Sequence, residues 1–191
     1  MLRTIPRGRF ISACLSAVLL PTVAGAAITF TSAWTEFLNN QVGGASAPVV
    51  SSADGADSTE LTIDMGTGMA GDRSYIGLRR DFTIGLGGQR VELRHMFQST
   101  LENRGAVSGR VQVRPIRIRG QRTESLTSGR FSAGAGATGV PTVRFVDHDS
   151  TKVVTLRPGK YRVEFRLAYS APTNTGAWDN SSPHKLTLTG L

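Results

Sequence analysis

The stretch TLRPGKYRVEFRLAYS, Thr155 to Ser170, decides the fold. Arg157-Pro158-Gly159 is a proline-glycine turn in which Gly159 can take positive φ. From there Tyr161, Val163, Phe165, Leu167 and Tyr169 share one face, while Arg162, Glu164 and Arg166 share the other. Strict period-two alternation is the signature of a strand with one buried and one solvated face, which is the habit of antiparallel sheets. The apolar row predicts a core. The arginine row raises the question of what the outer face does.

Working outward, the same period recurs along the chain. The expected strands are Ile28 to Trp34, Glu60 to Met65, Tyr75 to Ile84, Gln89 to Gln98, Ser108 to Arg119, Val140 to Val146, Lys152 to Leu156, Lys160 to Ser170 and Lys185 to Thr189. Trp34 to Gln41 is open to an alternative reading as one short helical turn. Gly85 to Gly88 and Asn103-Arg104-Gly105 supply turns between strands. Strands of this length joined by short glycine turns predict an all-β, antiparallel, jelly-roll-like β-sandwich of about eight or nine strands. Val42 to Ser58 and Ser125 to Thr138, rich in Gly, Ala and Ser, read as long loops or irregular edges. In Ser108 to Arg119 the apolar positions change phase, from Val111 and Val113 to Ile116 and Ile118, which predicts a bulge at Arg114-Pro115.

The first residues read as a secretory signal peptide, residues 1–26. Arg3, Arg7 and Arg9 precede an apolar run, Ile11 to Leu20, and Ala24-Gly25-Ala26 gives a small-residue cleavage site. That run is too short to span a bilayer, where about 20 residues are needed, and no second hydrophobic segment follows. Ile11-Ser12-Ala13-Cys14 has the composition of a lipobox but lies inside the apolar run instead of closing it. Arg7-Gly8-Arg9 is not the consecutive pair of a twin-arginine signal. The expectation is a secreted or periplasmic protein, residues 27–191 forming a single domain of 191 − 26 = 165 residues. Cys14, the one cysteine, leaves with the signal, which excludes disulfides and thiol chemistry from the mature chain.

The whole chain carries 22 Lys and Arg against 14 Asp and Glu, and removing the three signal arginines leaves 19 − 14 = +5. Only Lys152, Lys160 and Lys185 are lysines, so the excess is arginine, whose planar fork suits carboxylates, sulfates and phosphates. Codon bias towards arginine and selection for an anionic partner both account for it. Arginines 104, 110, 114, 117, 119, 122 and 130 concentrate in the middle of the chain. On strands such residues form a solvated face that guards an edge. Aromatics are not interleaved with them as in single-strand nucleic-acid binders, so no nucleic acid is expected.

Catalytic signatures are absent. There is no Gly-x-Ser-x-Gly and no phosphate-cradling Gly-x-x-x-x-Gly-Lys motif. Arg80 and His95 fall in the inward rows of their strands, either as a partnered edge arginine and a hydrogen-bonded core histidine or as the lining of a polar cleft. Asp147-His148-Asp149 and the pair Asp54 and Asp57 offer too few oxygens for calcium, and His95, His148 and His184 lack zinc-ligand spacing. No metal and no cofactor are expected. The loop Ser170 to His184 carries the candidate ligand-binding residues: Trp178, with Asp179, Asn180 and Asn174 beside it, joins an aromatic face to amide and carboxylate groups as sugar sites do. Alternatively, Trp178 folds back to cover one end of the sandwich.

The order "YIGLRRDFTI", a glycine turn, "QRVELRHMFQSTLENRGAVSGRVQVRPI", "VVTLRPGKYRVEFRLAYSA" and a closing "WDNSSPHKLTLTG" resembles the exported bacterial jelly-roll sandwiches of surface-anchored proteins of the PEP-CTERM type. The resemblance covers Tyr75 to Leu191 and implies a structural or glycan-associated role outside the cytoplasm. The chain ends at Thr189-Gly190-Leu191, without the Pro-Glu-Pro motif, apolar stretch and basic residues of that family, so anchoring by that route is not expected. The reading that follows is a secreted, non-catalytic β-sandwich, a carbohydrate-binding or extracellular-matrix-associated module whose partner is a polysaccharide or other anionic surface polymer. The alternatives are a self-assembling structural protein and, third, an enzyme with its site around Arg80 and His95.

Overall fold

Alternation along the chain becomes twelve strands in the computed structural model, which describes residues 27–135, 140–172 and 175–191. In chain order they are β1 (Ile28–Phe30), β2 (Thr35–Val42), β3 (Val49–Asp54), β4 (Ser58–Asp64), β5 (Thr67–Gly68), β6 (Arg73–Ile84), β7 (Gln89–Glu102), β8 (Ala106–Ile116), β9 (Glu124–Ser132), β10 (Val143–Leu156), β11 (Gly159–Ser170) and β12 (Ala177–Gly190). The signal-peptide expectation, residues 1–26, lies outside the described residues.

All pairing is antiparallel, in two sheets of six strands. One sheet runs β1-β6-β11-β8-β9, with β2 also on β6. The other runs β10-β7-β12-β4-β3, with β5 on β12. The outgoing strands β4, β6, β7 and β8 pair with the returning strands β12, β11, β10 and β9, as in a ribbon folded at the β8–β9 turn. Rolling that ribbon adds the pairs β8·β11 and β7·β12. This is a jelly roll of eight strands, as the alternation predicts; β1, β2, β3 and β5 are additions at its margins.

The core is the set of inward rows. Tyr161, Val163, Phe165, Leu167 and Tyr169 of β11 are all 2% exposed or less, and they face Leu93, Phe97, Leu186 and Leu188 of the opposite sheet. Burying each such side chain contributes about 1.5–3 kcal/mol against the entropy of ordering the chain. Phe82 stacks on Tyr161 at 5.5 Å, and the Tyr161 hydroxyl donates to the Arg157 carbonyl at 2.9 Å, which ties the proline-glycine turn to the core. Gly159 has φ +142, and a Cβ there would stand 2.6 Å from Ile118, so this position requires glycine on both counts.

Several expectations are corrected. Thr35–Val42 is a strand, β2, and not a helical turn. Of the two readings of Val42 to Ser58 and Ser125 to Thr138, as long loops or irregular edges, the second holds: they contain β3 and most of β9, each the edge strand of its sheet. Asp147-His148-Asp149 does not separate two strands but lies within the single strand β10. The expected bulge at Arg114-Pro115 is absent, since β8 and β11 stay in register from Ala106 to Ile116. Pro115 is accommodated because β9 ends its pairing at Val113↔Glu124, leaving one side of Pro115 without a strand to donate to. Arg117, at φ +60, turns the chain after the strand and returns Ile118 to the core. The bulge in β8·β9 falls at Gly109/Arg110 instead.

Candidate functional site

Trp178 is not a ligand platform. It lies on the inward face of β12 at 2% exposure, packed 5.7 Å from Tyr169, with Gly68 so close that a Cβ there would stand 2.2 Å from the indole. Asn180 is also inward. Its Oδ1 accepts from the Met65 amide at 2.9 Å, and its Nδ2 donates to the carbonyls of Ser182 at 2.7 Å and Gln98 at 3.1 Å. These bonds satisfy the backbone where β12 breaks register between Asp179 and Lys185. Asp179 is exposed on the opposite face, and Asn174 lies outside the described residues. The expected sugar-binding group is therefore corrected: its aromatic and principal amide are structural, and Trp178 takes the alternative role of closing the core.

Arg80 and His95 do not share a cleft. Arg80, 6% exposed, pairs bidentately with Asp54 of β3, donates to the Ser32 carbonyl at 2.7 Å and lies 4.4 Å over the Phe30 ring. The guanidinium holds the Asp54 carboxyl below its usual range. His95, fully buried, has an entirely different set of partners, and an active site shared by these two residues is corrected on that ground.

Around His95 the structure gathers what the sequence scatters. The rings of His148 and His184 stand 5.4 and 5.3 Å from it. His95 Nε2 bonds His184 Nδ1 at 3.0 Å, His184 Nε2 bonds the Tyr169 hydroxyl at 2.7 Å, and that hydroxyl bonds Ser99 Oγ at 2.5 Å. Burial pushes the His95 imidazole down to about 3 and that of His184 well below the usual value. Both are therefore neutral, and one proton per bond completes the chain. His95 Nε2 and both nitrogens of His184 are taken up along this chain, His95 Nδ1 is buried without a partner, His148 Nε2 bonds Ser150 Oγ at 3.1 Å, and among the described residues no three His, Cys, Asp or Glu side chains are arranged to hold a metal ion.

The feature that sequence reasoning missed is a groove on the outer face of the β6–β11–β8–β9 sheet. Register places Tyr75, Ala168, Ser108 and Arg130 side by side in one row across the four strands. The adjoining row is Gly77, Arg166, Arg110 and Thr127. Small residues at the centre of one row, with arginines beside them, leave a groove of about 540 Å³ running across the strands. At strand spacing of about 4.8 Å it crosses about 14 Å of sheet. Tyr75 and Arg130 also line a second depression of about 400 Å³, shared with Arg73 and Arg104, so the two adjoin. At the β2 side, a register break between Glu36 and Leu38 throws Phe37 over Gly77. Its ring lies 5.2 Å from the Arg166 guanidinium and 5.8 Å from that of Arg79.

The electrostatics of this face are uneven. Glu164 is shared by Arg166 at 3.3 Å and Arg114 at 3.7 Å, and Asp81 is taken by Arg162 at 2.6 Å. Among the described residues, Arg73, Arg104, Arg110 and Arg130 have no carboxylate partner. The signal for the groove was present in Ala168 and Ser108, small residues within arginine-rich strands, but only the register shows that they are neighbours.

No family model matches the chain, and no curated protein matches it. Among solved structures it is similar to the enzymatically active domain of bacteriophage CBA120 tailspike protein 4, at 13% identity and a TM-score of 0.33 over 83% of this chain and 19% of that one. It is also similar to TmCBM61, determined in complex with β-1,4-galactotriose, at 12% identity and a TM-score of 0.30 over 84% of this chain and 90% of that one. The chain thus spans about a fifth of the tailspike domain. Likenesses of this depth carry nothing about ligand or reaction, and the jelly roll is established by the order of strand pairing.

Proposed function

We propose that the protein is an exported, non-catalytic module that binds polysaccharide, receiving the chain in the groove across β6, β11, β8 and β9. The observation that carries this reading is the row Tyr75, Ala168, Ser108 and Arg130, which gives a flat, solvent-open floor with an aromatic ring at one end. Sugar rings offer apolar CH faces to such an aromatic and hydroxyls to the polar side chains around it. Export rests on the signal-like residues 1–26. The test is retention of the mature chain, Ala27–Leu191, on immobilised neutral and acidic polysaccharides. Tyr75→Ala should weaken retention several-fold at an unchanged melting temperature, and a Tyr75→Ala protein retained like the wild type would overturn the assignment of the groove.

A second reading, self-assembly, is favoured by one observation. β10 is a 14-residue edge strand carrying Phe145 at 79% exposure and Val143 at 48%. Open, apolar edges pair with other strands. Concentration-dependent oligomers that Phe145→Lys abolishes would establish it.

A further inference from the structure

Resting on the groove assignment just made, we infer that the ligand is a polyanionic polysaccharide, held through its carboxylate or sulfate groups by Arg110, Arg130 and Arg166. Arg110 and Arg166 are direct cross-strand partners. Like charges placed opposite one another on neighbouring strands oppose folding, so the free protein gains nothing from this arrangement. Arg166 has a half share of Glu164, whereas Arg110 and Arg130 have no carboxylate among the described residues. Across the groove these forks flank a floor of Ala168 and Ser108, which leaves room for an anionic group between them. A guanidinium takes carboxylate or sulfate bidentately, and such charge-assisted bonds are the strong ones.

The distribution of charge argues against arginine as a mere codon habit. Codon bias would spread unpaired arginine over both outer faces. On the other sheet's outer face, however, Arg90 is the one arginine among the described residues without a carboxylate partner, Arg94 is neutralised by Asp149 and Lys185 by Glu60, and Asp147 stands in the same depression. The surplus positive charge is gathered on the face with the groove. The adjoining depression past Tyr75, with Arg73 and Arg104, extends the cationic track, so the ligand it fits is a chain with repeated anionic groups and not a single ion.

Matched probes test this. The mature chain is titrated with polygalacturonate and with its methyl ester, which keep one backbone and differ in charge, and likewise with dextran sulfate and dextran. Expected is binding to polygalacturonate or dextran sulfate at least about tenfold tighter than to the uncharged counterpart, weakening steeply between about 50 mM and about 500 mM salt. The pair that responds identifies the anion as carboxylate or sulfate. Arg110→Gln with Arg130→Gln should lower affinity about tenfold or more at an unchanged melting temperature. Equal, salt-insensitive binding to charged and uncharged forms would overturn the inference while leaving a carbohydrate-binding groove intact. No binding to any of the four would overturn both. Tighter binding to duplex DNA than to either polyanionic glycan would also overturn it, replacing polysaccharide with nucleic acid.

Discussion

Acid should unfold this protein through its buried histidines before its carboxylates are involved. His95 is neutral in the folded state, with burial holding it down to about 3 against a usual 6.5. The unfolded chain takes up that proton near pH 6.5, so stability is fully present above this pH and falls as the pH drops towards 3. The loss is about 1.4 kcal/mol per pH unit, so the two units between 6.5 and 4.5 give about 3 kcal/mol from His95 alone. His184, lowered in the same direction by burial and by its neighbours His95 and His148, adds to this. Against a total stability of about 5–15 kcal/mol the effect is large. Asp54, Asp81 and Asp149 are each held low by an arginine and lose their contribution only as pH falls below their usual 3.8, outside this window. Urea unfolding at about pH 7.5 and about pH 4.5 measures the change in wild type and in His95→Gln with His184→Gln. His148, half-buried, titrates in both proteins and cancels. A wild-type loss below about 1 kcal/mol, or an equal loss in the double variant, would refute the account.

Three further outcomes follow from packing and the groove. Gly109→Ala would place a methyl group 2.8 Å from both the buried His95 ring and Ser128 Oγ, and should cost about 1–3 kcal/mol in urea unfolding. Trp178→Ala empties a core site and should cost about 3–5 kcal/mol, seen as a lowered melting temperature with glycan retention per folded molecule unchanged. Arg110→Gln should leave stability equal to wild type or slightly higher, since it relieves the cross-strand contact with Arg166, while lowering affinity for an acidic polysaccharide.

How much of this was legible in the sequence depended on whether a strand has one buried face. In β11, β6 and β7 one face is core and the other solvent, so the alternation is strong and the strands stand out. Every side chain of β3 is exposed, and β2 has a single half-buried residue, Phe37, so neither carries an apolar period. Both read instead by their small or polar composition, β3 as a loop or irregular edge and β2 as a helical turn. β10 was divided because its inward row there is His148 and Ser150, polar groups that the opposite edge strand β9 only partly covers. In β12, Asn, Asp, Ser and Pro suggested a loop, although Asn180 uses its amide to repair the ladder at the register breaks. The candidate site was misplaced for a related reason. An aromatic beside amides looks the same whether it faces solvent or core, whereas the groove exists only through register, which joins residues some 20 to 90 positions apart.

The folded-back ribbon has a kinetic consequence. β4 cannot complete its place beside β12 until residues more than a hundred positions later have arrived, and β6 waits similarly for β11. Only β3 with β4 and β8 with β9 are local enough to form early, so the remaining strands must close around those two hairpins. Topologies dominated by such distant partners fold in milliseconds to seconds, where local ones take microseconds. A chain being synthesised therefore has no stable half-structure to settle into before its last strand emerges. Under the export proposed above this would be an advantage, because the polypeptide would stay threadable until it had been handed across the membrane.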